Sequence, residues 1–80
     1  MPKTALLLLA DGAEEMEAVI VADVLRRGGV DVTVASVGKE DKDEPVVCSR
    51  KTKIVADETI KTVKGNKFDA VIMPGESKRF

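Results

Sequence analysis

The stretch that most constrains this chain is its opening strand, turn and helix. Ala5-Leu6-Leu7-Leu8-Leu9-Ala10 is a continuous apolar run of strand length, stopped by Asp11-Gly12 and followed by an amphipathic segment from Glu14 to Arg27. Unbroken hydrophobicity, rather than alternation, marks a strand buried on both faces, as in a parallel sheet. A parallel sheet needs crossover helices, so the run predicts an α/β fold.

Asp11 and Glu14 have the D-x-x-E form of a capping box. The helix starts at Gly12 or after Ala13, with acidic residues at the positive end of its dipole, Arg26 and Arg27 at the other, and Gly28-Gly29 as its stop. At about 100° per residue, Ile20, Val24, Val21, Leu25, Ala18 and Ala22 share one arc, and Glu17 falls inside it between Val24 and Val21. This aims an acid at the core, at the C-terminal end of a buried strand, where open α/β sheets bind ligands. A carboxyl group held there is costly when ionised, and its pKa is expected to rise. The plainer alternative is a Glu that bends to solvent and favours the helix terminus. Met16 and Val19 lie outside the core arc and give the helix a second apolar strip, suited to a partner chain or to simple exposure.

Val30 to Val37 alternates apolar and polar residues and predicts a second strand. Joined to the first through the helix, it makes a right-handed βαβ unit. Gly38 to Glu44 is a solvated loop. Pro45-Val46-Val47-Cys48 and Lys53-Ile54-Val55-Ala56 predict a small hairpin about Ser49 to Thr52. Asp57 is placed to cap a short helix from Glu58 to about Lys64, with Ile60 and Val63 inward. Phe68 to Met73 is the third main strand, ended by Pro74-Gly75. The pattern is one doubly wound α/β domain with main-strand order 2-1-3 and an appended hairpin. Its crevice lies beyond Ala10 and Met73. With no helix after it, the third strand has an open outer edge.

Composition narrows the function. The net charge is −1, with 13 basic and 14 acidic residues interspersed and only two aromatics, Phe68 and Phe80. Neither an electrostatic nucleic-acid footprint nor a stacking platform is present. One cysteine and no histidine exclude an internal disulfide and an ordinary zinc site, and no cofactor is expected. A reducing intracellular compartment fits this cysteine usage. The short apolar run lacks a cleavage pattern and reads as a strand rather than a signal peptide, and no stretch reaches membrane-spanning length. A receiver-like domain would need an Asp at the end of the third strand, where Met73-Pro74 stand. No G-x-G-x-x-G follows the first strand, which argues against a dinucleotide site. Cys48 is either a small buried hydrophobe or an oxidisable thiol.

Gly-Ala-Glu-Glu-Met-Glu over 12–17, Val-Leu-Arg-Arg-Gly-Gly-Val over 24–30, Val-Thr-Val-Ala over 32–35, Pro-Val-Val-Cys-Ser-Arg over 45–50 and Phe-Asp-Ala-Val-Ile-Met-Pro-Gly over 68–75 together resemble the first part of the DJ-1/PfpI family, the Parkinsonism-associated deglycase proteins. The resemblance runs from Lys3 to Gly75. It implies a flavodoxin-like fold, incomplete here, and a homodimer. It also implies proteins of the oxidative-stress response with deglycase, glyoxalase and chaperone-like activities on methylglyoxal-type carbonyls, in the cytoplasm and also the nucleus or mitochondrion.

By the same resemblance, Glu17 is the protonated acid that hydrogen-bonds a nucleophilic cysteine, and Gly75 offers backbone N–H groups at the pocket. A protonated donor of this kind favours the thiolate. Cys48 corresponds to a secondary cysteine, a redox candidate. Met16 corresponds to a position at the two-fold axis, Arg27 and Arg50 to polar positions near the interface or pocket mouth, and Val19 extends the same strip. The nucleophile itself has no counterpart here, and Glu76 to Phe80 depart from the pattern. The expectation is a truncated or alternatively ended chain, inactive alone, that pairs with itself or with a full-length relative through its first helix.

Overall fold

The computed structural model describes residues 2–74. Strand β1 (Thr4–Leu9) is the centre of a four-stranded parallel sheet. Helix α1 (Glu15–Arg27) crosses to β2 (Asp31–Ser36), which pairs with β1 from Thr4↔Asp31 to Leu9↔Ser36. A two-residue antiparallel hairpin follows, β3 (Val46–Val47) and β4 (Lys53–Ile54). Then come β5 (Glu58–Thr59), the single turn α2 (Ile60–Val63) and β6 (Ala70–Ile72). The sheet order is β5-β2-β1-β6, so the three main strands run 2-1-3 as the sequence predicts.

β5 is the addition. Glu58 and Thr59 continue from the hairpin as a short edge strand beside Ala35 and Ser36, and the helix begins only after Thr59. Asp57 therefore does not cap α2. Its carboxylate accepts from the Val34 N–H at 2.9 Å and from Arg26 Nη2 at 3.1 Å, tying β5 to β2 and α1.

Two apolar clusters sandwich the sheet. Ala5, Leu7, Leu9 and Val32 pack beneath Ala18, Ala22, Val21 and Leu25 of α1, together with Val46 and Cys48 of the hairpin. Leu6 and Ala35 meet Val63, Ile60 and Phe68 on the opposite face. Burial of β1 from both sides is the reason its residues need no polar alternation.

The helix departs from the arc read off the sequence. Its buried line is Ala18 and Ala22, flanked by the partly buried Val21 and Leu25, while Ile20 and Val24 are exposed. Small alanines let the helix backbone lie close to the sheet, so they win the inward face from the bulkier residues. Gly29, at φ +90°, closes the helix: its N–H donates to the Arg26 carbonyl, and Val30 N–H donates to Leu25.

β6 is fastened to β1 at its start. Asp69 Oδ2 accepts from Thr4 N–H at 2.8 Å and from Thr4 Oγ1 at 3.2 Å, and Asp69 N–H donates back to Thr4. The Thr4 backbone hydrogen bond is the main cause holding the Asp69 carboxyl below its ordinary pKa.

Candidate functional site

The C-terminal ends of β1 and β6 open into a small cleft of about 90 Å³, lined by Leu8, Ala10, Asp11, Ala13, Val37, Met73 and Pro74. This is the crevice that the 2-1-3 order requires. Its floor is the turn from β1 into α1, and the hairpin holds that turn in place. Gly12, at φ +90°, donates its N–H to the Val47 carbonyl at 2.8 Å. Val47 N–H returns to Asp11 Oδ1 at 3.0 Å, and Ser49 N–H donates to the Ala13 carbonyl at 2.8 Å. Lys39 Nζ, largely buried, reaches Asp11 Oδ2 at 3.1 Å and lies 3.8 Å from Glu44. The Val47 N–H, and after it Lys39, hold the Asp11 carboxyl below its ordinary range. Asp11 is thus committed to the turn, and the D-x-x-E capping box does not form. Glu14 is the N-cap instead, accepting from Met16 N–H at 3.0 Å and Glu17 N–H at 3.3 Å.

Glu15 does most to place the hairpin, and helix-start chemistry alone does not reveal it. Its two carboxylate oxygens accept from Ser49 Oγ at 3.0 Å, Arg50 N–H at 3.0 and 3.2 Å and Thr52 N–H at 3.3 Å. Desolvation pushes this carboxyl up, but its own backbone N–H and the bonds from Thr52, Arg50 and Ser49 outweigh it and bring the pKa to about 2. The hairpin tip needs such an acceptor. The Arg50 and Thr52 N–H groups donate to it, the Lys51 N–H donates to the Cys48 carbonyl at 2.9 Å, and Lys51 sits at φ +78°, a conformation that costs a side-chain-bearing residue energy. A tight turn between two strands of apolar pieces was the available signal, but it does not say which acid reaches it.

Cys48 is 3% exposed and belongs to the larger apolar cluster. Burial first, then the charges of Glu15, Asp11 and Glu14, push its thiol above the ordinary range. A protonated, covered thiol is a poor nucleophile. Alkylation of Cys48 by iodoacetamide in the native chain is therefore expected to run about ten times slower or more than in urea. Equal rates would show that the hairpin does not cover it.

Glu17 is not where the sequence reading puts it. It occupies the first turn of α1 on the exposed flank, beside Ile20 and Val24 and outside the lining of the cleft. The cause is the rotation that gives the inward face to Ala18 and Ala22. Gly75 lies outside the described residues. Met16 and Val19 are exposed on α1, Arg27 is exposed and paired with Asp23 at 2.7 Å, and Arg50 is exposed at the hairpin tip. A shallow groove of about 350 Å³ runs between α1 and the hairpin past Val19, Asp23, Ile54 and Val55, with the Arg26–Asp57 pair among its lining. Among the described residues no group of three or more His, Cys, Asp or Glu is placed to hold a metal ion, and no helix is long and apolar enough to cross a membrane.

A doubly wound parallel sheet, with a glycine turn at its crevice and an acid-rich helix start clasped by a hairpin, defines a flavodoxin-like α/β protein. The chain belongs to the DJ-1/PfpI family, whose model matches residues 3–78. It is 51% identical over 75 residues to protein dj-1beta of Drosophila melanogaster, a match covering 94% of this chain and 38% of that protein. It is 43% identical over 74 residues to the glutathione-independent glyoxalase DJR-1.2 of Caenorhabditis elegans, covering 91% of this chain and 38% of that one. The crystal structure of Drosophila DJ-1beta superposes with a TM-score of 0.89 at 49% identity, over 96% of this chain and 40% of the other. The chain thus spans about two-fifths of the length of these relatives.

Proposed function

We propose that this chain supplies the acid-bearing part of a cysteine-dependent site for small reactive carbonyls, and that it does not turn them over by itself. The class is supported by family membership and by the glyoxalase name of the Caenorhabditis elegans relative. The observation that carries the second half is the placement of the thiol: the sequence has one cysteine, Cys48, and it is buried in the apolar cluster beneath the hairpin. Covalent attack on a carbonyl needs an accessible, activated nucleophile. In this reading Glu17, once covered by further polypeptide, donates a hydrogen bond to a thiol supplied from outside the chain, and Gly75 adds backbone N–H groups at the same pocket. No cofactor takes part. The setting is the cytoplasm and the oxidative-stress response, in keeping with an isolated, unpaired cysteine. Incubation of the purified chain with methylglyoxal is expected to give lactate at the uncatalysed rate; clear turnover sinks the proposal.

A second reading is favoured by the exposed strip of α1. Met16 and Val19 are exposed on α1, Val19 lining the groove, and Arg27 and Arg50 are exposed as well; this surface suits pairing with another copy or with a full-length relative. Light scattering on a mixture with a full-length family member is expected to show a mixed species that Met16→Lys removes. Persistence of the two separate masses would count against it.

A further inference from the structure

The hairpin has one edge in use and one bare. Cys48 N–H donates to the Thr52 carbonyl at 2.8 Å, and Val46 and Val47 stand opposite Ile54 and Lys53. Antiparallel pairs alternate between hydrogen-bonded and open, so Val47 and Lys53 form an open pair whose N–H and C=O groups point away from the ladder. On the β3 side those groups are taken: Val47 accepts from Gly12 N–H and donates to Asp11. On the β4 side, among the described residues, neither Lys53 nor Val55, two residues on, has a backbone partner outside the ladder. Val55 is 58% exposed and also lines the groove between α1 and the hairpin. The same edge is positively charged. Arg50, Lys51 and Lys53 are exposed, and among the described residues no acidic side chain pairs with theirs. The acids of the groove are occupied, Asp57 by Arg26 at 3.1 Å and Asp23 by Arg27 at 2.7 Å. Glu15, bound to the backbone of the tip, offsets one of the three charges. Edge lysines discourage pairing with a like strand, because like charges opposite one another destabilise a ladder. A second copy aligned along this edge would set Lys51 and Lys53 against their own kind. A strand carrying carboxylates turns the same charges into attraction.

We infer that the β4 edge takes an extended acidic segment of another protein by strand addition. The backbone of that segment pairs with Lys53 and Val55, its carboxylates meet Arg50, Lys51 and Lys53, and its alternate apolar side chains enter the groove beside Val55. This needs neither the carbonyl chemistry nor a second copy of the chain.

Fluorescence anisotropy of a labelled octapeptide of alternating valine and glutamate, titrated with the full 80-residue chain, tests it. Saturable binding is expected below about 1 mM, with slower amide exchange at Lys53 and Val55. Two control peptides, one with lysine in place of glutamate and one with the glutamates kept but alternate backbone nitrogens methylated, are each expected to bind about tenfold more weakly or worse. The double variant Lys51→Glu, Lys53→Glu should reverse the preference, losing the glutamate peptide and gaining the lysine one. Val55→Pro removes a donor that no ladder bond uses, and is expected to weaken binding with the circular dichroism of the chain unchanged. Absence of binding at about 1 mM overturns the inference. Equal binding of the methylated peptide overturns it by making the contact one of charge alone, and equal binding of the lysine peptide overturns it by leaving the cations no part. Protection of Lys53 and Val55 that grows with the concentration of this chain alone, with a doubled mass in light scattering, overturns it in favour of a second copy.

Discussion

Replacing Glu15 by Ala is expected to release the hairpin while leaving the sheet folded. Four hydrogen bonds from Ser49, Arg50 and Thr52 converge on this one carboxylate, and two of the donors flank Lys51 at its positive φ. Without it the turn N–H groups lose their acceptor and the Lys51 backbone is left strained. Amide exchange at Arg50 and Thr52 should rise about tenfold or more, with residues 5–9 of β1 little changed. Glu15→Gln keeps one acceptor oxygen and should fall between the two. Lys51→Gly, which removes the penalty for positive φ, should restore part of the protection lost in Glu15→Ala. The pH dependence has a definite sign. The folded carboxyl sits at about 2 against an ordinary 4.5, so it binds its proton less readily when folded. The latch stabilises fully above about pH 4.5, weakens as pH falls and is gone below about 2. The hairpin of Glu15→Gln should lack this acid sensitivity. Unchanged exchange at the turn in Glu15→Ala would show that the hairpin is held by Val46 and Cys48 packing alone.

The elements that were legible in the sequence are those set by long-range hydrophobic pattern. β1 announces its two-sided burial by five apolar residues in a row, and the βαβ unit with order 2-1-3 follows from it. The short hairpin is marked by its two valines and by Ile54. What stayed hidden was decided by one or two hydrogen bonds among competing acids. Asp11, Glu14 and Glu15 are chemically interchangeable as helix-start residues, and only the hairpin, arriving from 36 residues later for Asp11 and Val47, sorts them into strut, cap and latch. Asp57 was similarly claimed by Val34 and Arg26 instead of α2. The family motif around Glu17 was legible, but the position of its side chain depends on which strip of α1 turns inward, and periodicity offers two.

That ambiguity of α1 yields the largest expected effect. The helix carries apolar residues at Ala18, Val21, Ala22 and Leu25 and again at Met16, Ile20 and Val24, and the structure seats the first set on the sheet. Leu7 lies at the centre of that contact and is 1% exposed, whereas Ile20 is 53% exposed. Truncating a buried leucine loses its transfer free energy and leaves a cavity, about 2–5 kcal/mol in all. For 80 residues the total stability is about 4–12 kcal/mol, so Leu7→Ala removes a large part of it and lowers the urea midpoint accordingly, or unfolds the chain. Ile20→Ala, at an exposed position, should cost under about 1 kcal/mol. Equal costs would mean that the helix is rotated, with Ile20 and Val24 on the sheet and Glu17 drawn inward with them. The Leu7 and Ile20 pair thus reads out, by stability alone, which face of α1 the chain buries and which it keeps for further polypeptide.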